Sequence, residues 1–219
     1  MTDSRALTLE GKTQLLREIG IDVSRCTRCD LYRHALNGVP GEGDPSAEIM
    51  LIGEAPGYHE NQQGRPFVGA AGQFLEQLLG SVGLTRQNVF IGNVVKHRPP
   101  ENRDPQPDET AACVPYLQRQ IEAIDPKVIV TLGRFSMAYF FPGEKISRIH
   151  GVARRHGTRL ILPMYHPAAA LHQGSLRRVV EDDFLRVPQA LAAARKQSAA
   201  PVSAVAPVKP PPTKQMPLF

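Results

Sequence analysis

Short apolar runs alternate with stretches of helical periodicity along most of this chain. Four mostly apolar runs predict buried strands, over residues 49–52, 89–95, 127–133 and 159–165. Apolar spacings of three and four predict helices over 9–19, 70–83, 109–124, 134–141 and 175–196, with Asp108 as a cap and an interruption near Pro188. This alternation favours an α/β fold with a mostly parallel sheet and helices on both faces.

Polar side chains follow the predicted strands where each strand ends. A glycine- and proline-rich stretch, 53–69, follows the first strand, and a basic loop, 96–103, follows the second. The carboxyl ends of parallel strands are where α/β proteins bind ligands. A lone His or Asn at such a place is more often structural. Because the strand ends share one edge, we expect Glu60, Asn93 and His166 to lie close together there.

Composition narrows the class of protein. The 219 residues are 42% hydrophobic, enough for one compact domain with flexible ends. No apolar run approaches the ~20 residues of a membrane span. The polar N-terminus lacks the apolar segment of a signal peptide, so a cytoplasmic protein without a membrane partner is expected. A monomer is also expected. The net charge of +5 weakly favours an anionic partner such as nucleic acid.

The chain has three cysteines and no export signal, which argues against disulfides and favours a metal or cluster. Cys26 and Cys29 form a C-x-x-C pair with basic neighbours. Two thiolates at that spacing can bind one metal centre from a single turn. A pair of ordinary thiols is the alternative.

Three longer motifs resemble those of family 4 uracil-DNA glycosylases, the iron–sulfur-containing branch. They are GEAPGYHENQQGRPFVGAAGQFL (53–75), NVVKHRPPENRDPQPDE (93–109) and HPAAAL (166–171). The match extends over roughly residues 20–190. It implies a three-layer α/β/α sandwich around a four-stranded parallel sheet. It also implies that the chain flips uracil out of single- or double-stranded DNA and hydrolyses the N-glycosidic bond, leaving an abasic site in base excision repair.

The resemblance also implies how the base is held. Phe67 matches the residue that stacks on the extruded base, and Asn93 matches the amide that reads N3–H and O4 of uracil. Cytosine reverses that pattern and would leave polar groups unpaired. Glu60 matches a residue near the position of the thymine methyl group. His166 matches the donor to O2, which gains charge as uracil leaves, and backbone N–H groups of Gly53–Ala55 would assist it.

The group that orients the attacking water stays open. Other glycosylase families use an aspartate where this sequence has Ala55, so the candidates are Glu54, Glu60 and Asn102. Leu171 resembles the wedge that fills the gap left by a flipped base, and its alternative is ordinary packing at a helix start. Four arginines would contact phosphates or form a plain solvated face: Arg98, Arg103, Arg177 and Arg178.

The chain departs from the family at the cluster. Cys26, Cys29 and Cys113 match three of the family's four cysteine ligands, and His97 occupies the remaining position. Imidazole can ligate iron, so a 4Fe–4S cluster with His97 is expected. The alternative is that His97 only hydrogen-bonds. A related branch that traps uracil covalently has a His here and an inserted Arg-Arg-Ile-His loop, which residues 99–103 lack, so turnover is expected.

Residues 1–197 are expected to form the catalytic domain, and residues 198–219, rich in Ala and Pro, a disordered tail. Its last residues resemble the bacterial sliding-clamp-binding motif, through Gln215, Leu218 and Phe219; an uninformative end is the alternative. Two other functions remain open. One is a catalytically inactive iron–sulfur DNA-binding or redox-sensing protein. The other is a nucleotide-binding protein, which the absence of a G-x-x-x-x-G-K-[ST] motif disfavours.

Overall fold

The computed structural model describes residues 7–198 of the chain. Within that range, the strands form one six-stranded sheet in the order β1-β3-β2-β4-β6-β5. The strands are β1 (Glu42–Gly43), β2 (Ile49–Gly53), β3 (Phe90–Asn93), β4 (Val128–Leu132), β5 (Arg154–His156) and β6 (Arg159–Met164). The clamp-like residues Gln215, Leu218 and Phe219 lie outside the described residues.

The sheet confirms the predicted parallel arrangement and adds to it. β3, β2, β4 and β6 are the four parallel strands expected. The strand count was wrong, because β1 and β5 pair antiparallel with β3 and β6 at the two edges. These edge strands have only two and three residues, and most of their side chains are partly or fully exposed. They carry no apolar run that could predict them.

Helices cover both faces of the sheet, and short 3₁₀ turns connect some of the elements. The α-helices are α1 (Leu9–Ser24), α2 (Tyr58–Gln63), α3 (Ala70–Ser81), α4 (Pro107–Ile124), α5 (Arg134–Phe140), α6 (Ile146–Ile149), α7 (Pro167–His172), α8 (Gly174–Phe184) and α9 (Val187–Ser198). The 3₁₀ turns are Asp30–Arg33, Arg86–Asn88 and Pro100–Asn102.

Two hydrophobic cores form because successive strand residues point to opposite faces. Leu51 and Val130 pack in the core that α3, α7, α8 and α9 cover. Ile52 and Ile129 pack in the core that α4 covers. All five residues of β2 are buried, as expected for a central strand with helices on both sides. The three-layer α/β/α sandwich is therefore confirmed.

Several helix boundaries differ from the prediction, and two of the differences concern α4 and α9. Asp108 is not the cap of α4: Gln106 is, and the backbone N–H of Gln106 donates to Glu109 Oε2 at 2.8 Å. A proline begins the helix because its missing N–H needs no partner there. The predicted 175–196 helix is two helices that break at 185–186, so Pro188 lies in the first turn of α9. In the described part of the chain, no helix is long and apolar enough to cross a membrane.

Candidate active site

A cavity of about 380 Å³ opens at the carboxyl edge of the sheet. The parallel register places Gly53, the last residue of β2, beside Asn93, the last residue of β3. β4 separates β2 from β6 in the sheet, and the chain passes from the end of β6 into α7. Seven predicted site residues line the cavity, namely Glu54, Ala55, Glu60, Phe67, Asn93, Asn102 and His166. The edge predicted from strand ends therefore carries a real pocket.

Asn93 presents an unsatisfied amide at this edge. Its side chain is 2% exposed, and its Oδ1 has no hydrogen-bond partner among the described residues. A buried polar atom without a partner is uncommon in a folded protein and often marks a place where a ligand binds. The Oδ1 atom can accept one hydrogen bond from a ring N–H that enters the cavity.

Lys96 binds the backbone of Asn93, and the sequence analysis did not identify this residue. Its fully buried ammonium donates to the carbonyl oxygen of Asn93 and to Gln120 Oε1, both at 2.7 Å. Burial lowers the pKa of Lys96 to about 8, while nearby Cys113 acts to raise it. A lysine that ends an apolar run is the signal in the sequence that could have indicated it.

Position 53 requires glycine because the side chains of Asn93 and Phe67 lie very close to its Cα atom. A Cβ atom there would lie 2.4 Å from Asn93 Oδ1 and 2.7 Å from Phe67 Cζ. No side chain fits at these distances, since ordinary carbon contacts begin at about 3.5 Å. Gly53 does not itself line the cavity, but its missing side chain lets the amide and the aromatic ring approach each other.

Phe67 and His166 form an aromatic wall. Their ring centroids are 5.6 Å apart and their planes differ by 24°, a stacked arrangement. Phe67 is buried and its φ is 53°, a left-handed conformation that is uncommon for a large residue. The backbone is thus held in an unfavourable conformation at a residue that lines the cavity, as occurs at functional sites.

Glu60 stabilises the segment 57–69 through hydrogen bonds to its backbone. Its Oε1 accepts from the backbone N–H groups of Val68 and Gly69, at 2.8 and 2.9 Å. Its Oε2 accepts from the N–H of Gly57, at 3.1 Å. One oxygen therefore bonds to the loop that carries Phe67 and the other to the residue that precedes α2, so the carboxylate is fixed in position where it lines the cavity.

His166 is a neutral hydrogen-bond donor. It caps α7, where its Nδ1 accepts from the N–H of Ala168 at 3.1 Å. That bond requires a lone pair on Nδ1, so the proton of the neutral ring is on Nε2. Burial lowers the pKa of His166 to about 4, although the charge of Glu60 opposes the shift. At neutral pH the ring can therefore donate from Nε2 without carrying a charge.

Glu54 is the cavity carboxyl with a strongly altered acidity. Burial and the charge of Asp104 raise its pKa to about 7, and Arg134 acts in the opposite direction. A carboxyl with this pKa is well suited to proton transfer near neutral pH. Asn102 is exposed, has a φ of 55°, and its Oδ1 accepts from Arg98 Nε at 2.8 Å.

The rim of the site carries one exposed apolar side chain. Leu171 lies in α7 and is 45% exposed. Its neighbours Ala168 and His172 line the cavity, so Leu171 lies close to the cavity mouth. The predicted basic residues differ in their surroundings: Arg103 pairs with Glu109, Arg177 with Glu181 and Arg178 with Asp182, while Arg98 stacks on Tyr58.

The predicted metal ligands come from three segments of the chain, one of which carries both Cys26 and Cys29. Cys26 follows α1, Cys29 precedes a 3₁₀ turn, His97 follows β3 and Cys113 lies in α4. All three thiols are free. Burial raises the pKa of Cys113 to about 11; the neighbouring Lys96 lowers it, and Cys29 and Cys26 raise it, so the three thiols are electrostatic neighbours.

His97 is buried, and its Nδ1 has no hydrogen-bond partner in the part of the chain that the structure describes. Burial also lowers its pKa, which favours the neutral ring that a metal requires. Among residues 7–198, however, no three His, Cys, Asp or Glu side chains are arranged as a metal-binding group. The donor types fit a cluster, and because each iron of a 4Fe–4S cluster takes one protein ligand, the four donors need not converge on one point as the ligands of a single ion do.

Known proteins share this chain's sequence over most of its length. Residues 40–186 match the family model of the uracil DNA glycosylase superfamily. A type-4 uracil-DNA glycosylase of Sulfurisphaera tokodaii is 50% identical over 182 residues, which cover 78% of this chain and 83% of the relative. One of Saccharolobus solfataricus is 49% identical (79% and 85% covered), and one of Archaeoglobus fulgidus is 45% identical (78% and 91% covered). The chain belongs to the uracil DNA glycosylase superfamily.

Proposed function

We propose that this protein is a uracil-DNA glycosylase that hydrolyses the N-glycosidic bond of uracil in DNA and leaves an abasic site for base excision repair. The observation that carries this proposal is the buried, unpartnered Oδ1 of Asn93 beside the wall that Phe67 and His166 form. The extended similarity to type-4 relatives supports the same reaction.

Base recognition follows from the chemistry of an amide. The Oδ1 of Asn93 accepts from N3–H of uracil, and its Nδ2 donates to O4. Cytosine presents an acceptor at N3 and a donor at N4, which would leave both groups of the amide unpaired. Rejection of this kind reaches about 10⁴-fold or more because buried polar groups lose their partners. Phe67 replaces the stacking that the base loses when it leaves the duplex.

Glu60 excludes thymine. Its carboxylate is held by the three backbone N–H groups of Gly57, Val68 and Gly69. It cannot move aside without leaving those donors unpaired, so the loop beside C5 cannot yield to a methyl group. This bracing also makes Glu60 a poorer choice for orienting water.

His166 stabilises the leaving group. As the glycosidic bond breaks, negative charge develops on O2 of uracil, and the Nε2–H of His166 donates to it. The backbone N–H groups near Gly53–Ala55 assist. A donor that is already oriented in a buried site contributes about 10²- to 10³-fold to the rate. A neutral imidazole serves this role better than a charged one, because the charged form would need to be buried.

Glu54 orients and activates the attacking water. It lines the cavity and its pKa of about 7 leaves much of it ionised at neutral pH. Asn102 is the remaining candidate, and its Oδ1 already accepts from Arg98. The sugar acquires positive charge in the transition state, and a carboxylate also stabilises that charge.

Oligonucleotides with a single uracil test the proposed reaction. The protein is incubated with single- and double-stranded forms, and abasic sites are then cleaved with alkali. Wild type should produce strand breaks at uracil, while Asn93→Ala and His166→Ala should lower the rate by about 10²-fold or more. Undamaged oligonucleotides with cytosine or thymine are the control.

An absence of breaks in every uracil context would refute the enzyme and favour a catalytically inactive DNA-binding or redox-sensing protein. Full activity in both variants would refute the assigned roles.

DNA is the partner, and we propose that Leu171 fills the gap left by the extruded base. Its exposure beside the cavity mouth supports this role. Leu171→Ala should slow excision from double strands more than from single strands, because only a duplex has a gap to fill. Equal loss on both substrates would contradict a wedge.

We propose a 4Fe–4S cluster held by Cys26, Cys29, Cys113 and His97. The free thiols and the unpartnered Nδ1 of His97 support it. When bound, the cluster links the N-terminal segment to α4 and takes no part in bond cleavage.

Iron content and visible absorbance test the cluster independently of activity. His97→Ala should lose iron during purification, while wild type retains it. Retention of four iron atoms by the variant would show that His97 only hydrogen-bonds.

We propose further that residues 1–197 form one catalytic domain and that the C-terminal segment binds a sliding clamp through Gln215, Leu218 and Phe219. Binding to a clamp raises the effective concentration of the enzyme at newly made DNA. Deletion of residues 215–219 should leave excision from short oligonucleotides unchanged and abolish clamp binding. Clamp binding that survives the deletion would refute the motif. Gel filtration at several concentrations tests the expected monomer.

A further inference from the structure

The conformation of Phe67 needs support from outside the cavity. Its φ of 53° is unfavourable for a residue with a large side chain. Left to itself, the chain at this residue would relax to a negative φ and turn the ring away from the position that stacks on the base. Contacts that over-determine the local backbone are what retain such a residue.

Arg86 binds the backbone on one side of Phe67. It lies in the 3₁₀ turn after α3, on the far side of the loop from the cavity, and it does not line the cavity. Its two terminal nitrogens donate to the carbonyl oxygens of Phe67, at 2.9 Å, and Pro66, at 2.6 Å. A planar guanidinium can hold two carbonyl groups at once, which an ammonium cannot do with the same geometry.

A carboxylate fixes the orientation of the Arg86 side chain. Glu42, in the edge strand β1, accepts from Arg86 Nε at 3.1 Å and from a terminal nitrogen at 2.6 Å. The Arg86 side chain is only 13% exposed, so these bonds are shielded from water. Arg65 binds the same carboxylate, at 2.7 and 2.9 Å, but its side chain is 56% exposed.

Glu60 and α3 also hold this loop. Glu60 accepts from the N–H groups of the two residues that follow Phe67. A Cβ atom at Gly72 would lie 1.8 Å from the carbonyl oxygen of Phe67, so α3 packs directly on this peptide. Arg86 thus binds the carbonyl groups and Glu60 the amide groups around one strained residue.

We propose that Arg86 is a positioning residue for uracil excision: it holds Phe67 in its left-handed conformation and so keeps the aromatic ring where the extruded base stacks. The inference rests on the proposed function. It also assigns a role to β1, the edge strand that supplies Glu42. Arg86 acts only through Phe67 and does not touch the base.

Arg86→Gln and Arg65→Gln form a matched pair that tests the proposal. Each removes one arginine from Glu42, but among the described residues only Arg86 is seen to bind the Phe67 carbonyl. Arg86→Gln should lower kcat/KM on a uracil oligonucleotide by about 10- to 100-fold, as expected for charged hydrogen bonds. The loss should fall mainly in KM. Inhibition by free uracil should weaken in parallel, and Arg65→Gln should stay within about twofold of wild type.

The Phe67→Ala background separates positioning from general destabilisation. With the ring removed, Arg86→Gln should change kcat/KM by less than about twofold, because the two residues act as one unit. Arg86→Lys, which keeps a charge beside Glu42, should fold and still lose most of the affinity for free uracil. Thermal melting and circular dichroism check that each variant is folded.

Two results would overturn the inference. One is a loss in Arg65→Gln equal to that in Arg86→Gln, which would make Glu42 pairing the cause. The other is an undiminished effect of Arg86→Gln in the Phe67→Ala background. Both outcomes require an active wild type, so they are distinguishable from failure of the proposed function, in which wild type itself would not excise uracil.

Discussion

Substitution of Gly53 by alanine is expected to damage the base pocket from a position outside it. The added Cβ would lie 2.4 Å from Asn93 Oδ1 and 2.7 Å from Phe67 Cζ. Neither neighbour can yield freely. Lys96 holds the backbone of Asn93, and the Phe67 ring is buried and stacked on His166.

The size of the effect follows from these distances. Relief of both contacts to about 3.5 Å requires movements of about 1 Å in the amide and the ring. A misplacement of that size costs about 10²-fold in rate, or about 2.7 kcal/mol of transition-state stabilisation. Overpacking should also lower the free energy of unfolding by about 1–3 kcal/mol. Gly53→Ala should therefore fold and lose most of its activity.

Gly80→Ala is the matched control. Gly80 is an exposed residue of α3, and a Cβ atom added there would have no neighbour within 4 Å. The same chemical change should raise the free energy of unfolding by about 0.4–1 kcal/mol and leave excision unchanged. Initial rates on a uracil oligonucleotide and thermal unfolding are measured for both variants.

Activity of Gly53→Ala within about threefold of wild type would refute the reasoning. It would mean that the amide of Asn93 and the ring of Phe67 do not need their present positions for catalysis. Equal inactivation by Gly80→Ala would point instead to a general sensitivity of the fold.

Three further predictions concern ionisation and metal binding. Burial raises the pKa of Glu54, the carboxylate proposed to orient the water, to about 7, so kcat/KM should rise with pH through about 7, and Glu54→Gln should remove this dependence. Hydrogen bonds from Arg195 and Lys127 lower the pKa of Glu48 from 4.5 to about 2. The stabilisation that these hydrogen bonds supply is complete above about pH 4.5 and is lost as the pH falls through 2. Glu48→Gln should therefore lower the free energy of unfolding at neutral pH by ~1 kcal/mol. It should also weaken the dependence of that free energy on pH between about 4.5 and 2. His97→Cys should retain at least as much iron as wild type, measured by iron analysis, since a thiolate replaces an imidazole.

The central strands could be predicted because each is a short apolar run buried on both sides. β2 and β4 are entirely buried, and nearly all of their residues are apolar. The helix boundaries were less accessible. α1 extends to Ser24, beyond its predicted end, and the break after α8 falls at 185–186, just before the position predicted near Pro188. Tertiary packing decides where such helices stop.

The positions of the candidate site residues were also accessible, since Asn93 lies in a predicted strand and Glu60 and His166 come after strands that could be identified. Their individual states were not. The neutral ring of His166 depends on the Ala168 N–H and on burial, and the acidity of Glu54 depends on burial and on Asp104. A sequence contains the residue types but not the local dielectric or the nearby donors.

The residues that support the site, Arg86 and Lys96, were the hardest to identify from the sequence. Arg86 acts on a carbonyl group 19 positions earlier in the chain, and Lys96 also binds Gln120, 24 positions away. Arg86 could equally have been a solvated surface cation, and the only signal for Lys96 was its place at the end of an apolar run. Only the folded chain shows that Lys96 is fully buried and that Arg86 is mostly shielded, each bound to a backbone oxygen.

The sequence by itself identified the family through its three motifs, and it predicted the parallel sheet and the edge at which the site forms, because the alternation of apolar runs with helical periodicity is a local property of the chain. The tertiary structure alone decided that Asn93 keeps an unpartnered amide oxygen, that Phe67 adopts a left-handed conformation and that Gly53 can bear no side chain. These features arise where distant segments approach within a few ångströms. Free energies at such contacts depend on distances and burial that no local pattern specifies.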